Sequence, residues 1–276
     1  MLIEQLRKEG ERRGLSPRKI KTYADCVNLF LKRNQHQELK RMTKEEIKEY
    51  LDRYLSCSNT YNVNLNALKF FFEEVLHKRL TFKVRFSKTP KRLPEFLTKE
   101  EVPVLLAAIK NPKHCLMVEL MYGTGMRVSE LVNVKIKDLD FEHNFGWVRQ
   151  DKGRKDRPFI LPLCLKEKMI FLIKEENLTS EDWLFSTNRN KSYSVSSLRE
   201  IIKRAKEECK LNKNIHPHTL RHSFATHVIQ NGYTATELQP LLGHAQVQTT
   251  MMYVHMASPN MLNVRSPLDS LKVKNG

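Results

Sequence analysis

Apolar residues recur at helical spacing through most of this chain. Ile20, Tyr23, Val27, Phe30 and Leu31 fall three or four positions apart and predict an amphipathic helix. Ser16 before Pro17 supplies an N-cap and a first helical position for it. Thr43-Lys44-Glu45-Glu46 has the form of a capping box, and Ile47, Tyr50, Leu51, Tyr54 and Leu55 continue the helix it opens. Leu65, Leu68, Phe71, Phe72 and Val75 predict a further one. Four helices with short connections, lysines outward, make residues 1–85 a small all-helical module.

Residues 86–97 carry Pro90 and Pro94 with Lys88, Lys91 and Arg92, which predicts an interdomain linker, because proline interrupts helix and disfavours it in the residue before. Thr98-Lys99-Glu100-Glu101 is a second capping box and opens a second domain over residues 98–256. Val104, Leu105 and Ile109 form its first helical face, and the strongly apolar stretch 115–122 a second helix that Gly123-Thr124-Gly125 breaks; another helix starts near Ser129. The pattern then changes. Residues 138–141, 146–149 and 158–162 read as short strands, with residues 151–156 as the turn between the last two. Helical spacing returns after Lys166, over residues 196–210 and 220–231, and over residues 236–242, where Gly243 ends it. The expected fold is mainly α with a small antiparallel β-sheet, in two domains, followed by a tail over residues 257–276 that holds Pro259 and Pro267.

Composition narrows the class. A chain of 276 residues exceeds one small core. No apolar run reaches the roughly 18 residues of a membrane span, and the N-terminus is charged by Glu4 with no secretory apolar core, so a cytoplasmic protein without a membrane partner is expected. The five cysteines, Cys26, Cys57, Cys115, Cys164 and Cys209, lack any Cys-x-x-Cys pair; buried thiols are expected, not disulfides or a zinc site. Net charge is +17, divided as +9 over residues 1–88 and +8 over the remainder. A chain basic in both halves suits a polyanion held from two sides, and DNA is the usual one.

The candidate chemistry sits in five short motifs. Arg127 and Arg221 present planar, permanently charged forks suited to phosphate oxygens. Arg127 follows the glycine-rich helix break, where a helix start would add its dipole. His218 lies three residues before Arg221, on one helix face. His244 follows Gly243, where a glycine cap would expose its imidazole, and stands nine residues before Tyr253. A phenol is almost wholly protonated at neutral pH, so Tyr253 as a nucleophile needs neighbouring cations to favour the phenolate or a histidine to accept its proton. Tyr193 and Tyr233 are competing phenols without such surroundings. Lys152, with Lys155 close by, occupies the predicted turn, where it is either a solvated charge or a proton donor that reaches a substrate. His216, His218 and His222 also invite a metal reading, but no Asp, Glu or Cys stands beside them at ligand spacing.

In order, the motifs are Tyr122-Gly-Thr-Gly-Met-Arg-Val-Ser-Glu-Leu131, Lys152-Gly-Arg-Lys-Asp-Arg157, His218-Thr-Leu-Arg-His-Ser-Phe-Ala-Thr-His227, Leu241-Leu-Gly-His244 and Thr249-Thr-Met-Met-Tyr-Val-His255. Together they resemble the tyrosine recombinase (phage integrase) family of site-specific DNA recombinases, particularly its Xer-like members, over nearly the whole chain. The resemblance implies a helical core-binding (SAM-like) domain, then an α+β catalytic domain. It implies that Tyr253 attacks the scissile phosphate to form a 3′-phosphotyrosyl link, that Arg127 and Arg221 hold the non-bridging oxygens, and that Lys152 protonates the 5′-oxygen. His218 would assist as acid or base, His244 would hydrogen-bond the phosphate, and Glu130 would support the site. No metal, ATP or other cofactor is implied, because the phosphodiester energy is kept in the covalent link. The implied partners are a double-stranded DNA recombination site and further protomers, as a dimer on a site and a tetramer in the synapse, of one recombinase or a homologous pair. Chromosome or plasmid dimer resolution is the expected role; a mobile-element integrase, a type IB topoisomerase-like enzyme and a non-catalytic DNA-binding relic are the alternatives. Asp151 departs from the glycine often found before the lysine, and the two prolines of the tail interrupt the segment that in the family docks on a neighbouring protomer.

Overall fold

The computed structural model describes residues 1–34, 39, 42–78, 84–88, 93–149, 156–187, 191–244 and 246–257. Lys152 and Asp151, most of the tail and part of the expected linker lie outside these residues. The chain divides into two compact units, Met1–Arg92 and Leu93–Gly276.

In the first unit, α1 (Leu2–Arg12), α2 (Pro17–Arg33), α3 (Lys44–Asp52) and α4 (Ser58–Lys69) enclose an aromatic core. Ser16 Oγ accepts from the Lys19 amide at the head of α2, and Thr43 and Glu46 exchange both capping-box bonds at the head of α3. Phe30 meets Tyr50 edge-on at 4.9 Å and Phe72 at 5.8 Å. The helical spacing over residues 65–75 predicts one regular helix; instead α4 passes into a π-helical segment, Phe70–Val75. Widening the turn lets the consecutive rings Phe71 and Phe72 both face inward, fully buried, which a 100° step per residue opposes. Ser87 belongs to this unit, bonded to Asn62 and Ser58.

The second unit is built around α6 (Pro112–Thr124), which is apolar on nearly all sides, as a central helix must be: Leu116, Met117, Val118, Leu120 and Met121 are all buried. It packs against α8 (Leu163–Glu175), α9 (Val195–Cys209) and α10 (Pro217–Gln230), with α5 (Glu101–Ala107) on α9. The Thr98–Glu101 reciprocal bonds form, and the helix proper begins at Glu101. Three short strands, β1 (Leu139–Asp140), β2 (Phe145–Val148) and β3 (Arg157–Ile160), make one antiparallel sheet in the order β1-β2-β3. Leu97 also belongs here: it is fully buried, and its amide donates to Ser223 Oγ at 2.8 Å. The remaining helices, α7 (Val128–Leu131), α11 (Ala235–Leu242) and α12 (Val247–Ala257), surround the site described below.

One expectation needs correction. None of the five free cysteines is buried; Cys57 and Cys164 are exposed and the others partly covered, because each sits at a helix end or flank rather than on a core stripe. Among the described residues no helix is long and apolar enough to cross a membrane.

Candidate active site

Three separate segments converge on one carboxylate. Helix α6 ends where Gly125 turns left-handed (φ 63°), and a side chain there would also strike the Phe224 ring at 2.3 Å, so only glycine fits. The chain then delivers Arg127 as the N-cap of α7, its amide and its guanidinium donating to Glu130 at 2.7 and 2.6 Å. The expected helix dipole contributes little at Arg127, because α7 is a single turn and Glu130 already satisfies its first amide. From β3, buried Arg157 donates to Glu130 at 2.6 Å and to the Leu241 carbonyl. From α10, Arg221 (3% exposed) donates to the carbonyls of Gly125 at 2.7 Å and Leu242 at 2.6 Å, with Glu130 at 3.9 Å. Burial opposes ionisation of Glu130, but Arg157 and Arg127 outweigh it and hold the carboxyl below its usual range. Burial, then Arg127, pushes Arg221 down to about 10, with Glu130 acting against them, so the guanidinium stays charged at neutral pH. Three guanidiniums around one carboxylate give the cluster a net positive charge, which favours an anion beside it.

The end of α11 is capped from the same cluster. Gly243 is left-handed (φ 61°), and a Cβ there would meet Arg157 Cδ at 2.6 Å. The turn directs His244 inward, so the expectation of an exposed imidazole fails: Arg221 donates to its Nε2 at 3.1 Å, and its Nδ1 lies 2.9 Å from Thr250 Oγ1. Because a guanidinium has no acceptor, Nε2 is the unprotonated nitrogen and Nδ1–H donates to Thr250. Both ring nitrogens are thus engaged, and a phosphate bond from His244 requires Nε2 to be released and protonated.

Helix α12 places Tyr253 beside these groups. The ring is 1% exposed, packed among Ala225, Ile229, Leu238 and Leu242, and lies parallel to His244 with centroids 6.2 Å apart. Its hydroxyl is 3.1 Å from Nδ1 of His222. Burial raises the Tyr253 pKa; Arg221 and Arg127 favour the phenolate, as expected of cations, but burial outweighs them. His218 stands exposed in the first turn of α10, its ring 6.1 Å from that of His216 and 6.5 Å from that of His222. Partial burial, then His216, Arg221 and Arg127, lowers its pKa. Among the described residues no group of three or more His, Cys, Asp or Glu is placed to hold a metal ion. Tyr233 is exposed, and Tyr193 pairs with His114 at 3.2 Å.

Arg127, His218, Arg221, His244 and Tyr253 therefore come together. Lys152 falls in the connection between β2 and β3, outside the described residues. Three contributors have no assigned role in the sequence reading. Arg157 closes the lysine motif and faces inward with Phe159 on an alternating strand; a charge at an inward register position was the available signal. His222 is four residues after His218, one turn along the same face. Thr250 is three before Tyr253.

Burial, then Arg221 and Arg127, holds His244 at about 4, and burial, then His218, holds His222 at about 4. An unfolded imidazole titrates near 6.5, so between those values the unfolded chain binds more protons. The contribution of these histidines is complete above about pH 6.5 and is lost as pH falls towards 4. Thermal melts should show Tm falling over that interval, with a shallower fall for His244→Asn; an unchanged slope in the variant refutes the assignment.

Comparison with known proteins follows the same division of the chain. The phage integrase family matches residues 95–259, and the phage integrase N-terminal SAM-like domain matches residues 2–81. The chain is 34% identical to tyrosine recombinase XerA of Pyrococcus furiosus over 268 residues, 94% of this chain and 91% of that protein. It is 31% identical to an integrase/recombinase of Escherichia coli over 317 aligned positions, 98% of this chain and 94% of that protein. A crystal structure of XerA recombinase superposes with a TM-score of 0.58 at 28% identity, covering 96% of this chain and 99% of that one. A lambda integrase tetramer bound to a Holliday junction shares the fold, with a TM-score of 0.73 at 20% identity over 89% of this chain and 76% of that one.

Proposed function

The chain belongs to the phage integrase family of tyrosine recombinases, DNA breaking-and-rejoining enzymes, and from that premise we propose that Tyr253 is its nucleophile. The observation that carries this reading is a buried phenol set against His244 and within the field of Arg127 and Arg221, in a cluster of net positive charge. Arg127, partly exposed, and Arg221, behind it, balance the charge on the non-bridging oxygens of a phosphodiester. Tyr253 oxygen bonds to phosphorus, the 5′-oxygen leaves, and a 3′-phosphotyrosyl link remains. Lys152 protonates the leaving oxygen, His244 turns its released Nε2 to the phosphate, and His218 assists proton transfer. Residues 1–85 act as the core-binding domain, residues 86–97 cross between the domains, and residues 98–256 carry the chemistry. Protomers pair on a double-stranded site and meet as a tetramer, with residues 257–276 docking on a neighbour.

A DNA duplex nicked near the cleavage point traps the intermediate, because the short released strand diffuses away. Wild-type protein should form a covalent adduct on denaturing gels with or without chelator; strong inhibition by chelator would restore the metal reading. Arg127→Lys should cut the rate of adduct formation at least tenfold, since an ammonium cannot reproduce the fork. A rate within twofold of wild type refutes the role given to Arg127.

The finer role is resolution of chromosome or plasmid dimers. It is supported by the resemblance to proteins named XerA. Similarity to a protein named integrase/recombinase favours mobile-element integration as the second reading. Sequencing DNA captured covalently in cells separates them: one chromosomal or plasmid site with paired arms supports resolution, and junctions at the ends of a mobile element overturn it.

A further inference from the structure

We propose that His222 is the residue that holds the Tyr253 phenol and accepts its proton as the phenol attacks. The inference rests on Tyr253 being the nucleophile. Geometry separates His222 from the other imidazoles. Its Nδ1 is 3.1 Å from the phenol oxygen, inside the range for direct proton transfer. His244 lies parallel to the phenol ring, with its nitrogens engaged by Arg221 and Thr250. His218 faces the ring of His222, at 6.5 Å between centroids, with His222 between it and the phenol.

Helix α10 explains the placement. Arg221 and His222 are consecutive, so one backbone segment fixes both a phosphate ligand and the acceptor beside the attacking oxygen. One turn earlier His218 lies over His222, and His216, the N-cap of α10, lies beside His218. His216 accepts the Thr219 amide at Nδ1, which leaves its proton on Nε2. Three imidazoles thus stand in a row from the exposed head of α10 towards the buried phenol.

The step balances. The Tyr253 O–H bond breaks and its hydrogen passes to Nδ1 of His222, which already carries a proton on Nε2. The O–P bond forms, the P–O5′ bond breaks with its electron pair on the 5′-oxygen, and Lys152 supplies that oxygen with a proton. Rejoining runs the sequence backwards, with His222 returning the proton to the phenol. Burial, then His218, His216 and Arg221, keeps His222 a weak base, and the phenol beside it neutral. A bound phosphodiester offsets the Arg221 charge and strengthens the base, so the acceptor becomes competent when substrate is present.

The test is single-turnover cleavage of the nicked duplex by His222→Ala and His222→Asn, alongside DNA binding. Asparagine sets a carbonyl oxygen about where Nδ1 lies; it accepts the phenol hydrogen bond but cannot take the proton. Both variants should bind DNA and cleave roughly 100-fold more slowly. Their rates should climb with pH as hydroxide deprotonates the phenol, towards the wild-type rate. The groups facing His222 are His216, His218, Arg221, His244 and Tyr253, all intact in these variants. A 5′-bridging sulfur substrate, whose thiolate leaves unprotonated, should rescue Lys152→Ala and leave the His222 variants slow. At neutral pH, a rate within threefold of wild type for His222→Asn or His222→Ala overturns the proposal, as does rescue of either variant by sulfur or a rate that does not rise with pH. If Tyr253→Phe still forms the adduct, the nucleophile itself is misassigned; if it is inactive while the His222 variants are fast, only the acceptor role fails.

Discussion

Tyr253→Phe should bind DNA as the wild type does and form no covalent adduct. The substitution is close to a pure chemical deletion. The ring fills the pocket of Ala225, Ile229, Leu238 and Leu242 at 1% exposure, and phenylalanine fills the same space. The hydroxyl bonds His222 Nδ1 and also accepts from the Arg221 guanidinium, so the stability cost is about 1–3 kcal/mol. Its stacking on His244 is retained, and Arg127, Arg157, Arg221 and Glu130 keep their bonds to one another and to the Gly125 and Leu242 carbonyls. Binding and fold therefore serve as internal controls while the nucleophilic oxygen is gone. The measurement is adduct yield on the nicked duplex beside a gel-shift titration. An adduct of wild-type yield sends the search to exposed Tyr233 or to Tyr193, and the proposed function fails with it.

The second large effect is expected at Arg221, where fold and chemistry share one side chain. Its guanidinium bridges the carbonyl that ends α6 and the carbonyl that ends α11, and it touches His244 and Glu130. Arg221→Ala removes one partner from a buried charge network and strips two buried carbonyls of their donor, a loss of about 3–5 kcal/mol. Arg221→Lys keeps the charge, but one ammonium on a flexible stem cannot span both carbonyls and still face a phosphate. We expect Arg221→Lys to remain folded, with Tm lowered by several degrees, and to cleave at least 100-fold more slowly, the scale of losing a preorganised donor to a developing anion. Melting curves and single-turnover cleavage, read together, check this. Near-normal cleavage in Arg221→Lys refutes a direct role for the guanidinium at the phosphate.

Much of this was legible before any coordinate. Helix starts were readable because capping is local: Ser16, Thr43 and Thr98 each act within three residues, and all three make their bonds. The two helix ends that matter most, Gly125 and Gly243, were readable because both are left-handed. The strands were readable from alternation, and the expected turn lies between β2 and β3. The π-helical segment at Phe70–Val75 was not, since its cause is the joint burial of neighbouring rings by other helices. Arg157 stood in a quoted motif without a role, because its partners Glu130 and Leu241 are 27 and 84 residues away.

Order and spacing of residues sufficed to name the reactive set, because motif chemistry depends on side-chain types and local turns. They also sufficed for a mainly helical, two-part chain with one small sheet. Protonation lay beyond them. A phenol beside two arginines reads as activated, yet burial outweighs the cations and holds Tyr253 neutral. A histidine after a glycine cap reads as exposed, yet Arg221 and Thr250 engage both nitrogens of His244. And His222, a second histidine in a motif that already had one, becomes the direct partner of the phenol only when α10 and α12 pack together. Desolvation and long-range hydrogen bonds are properties of packed neighbours, and no local stretch of this chain contains them.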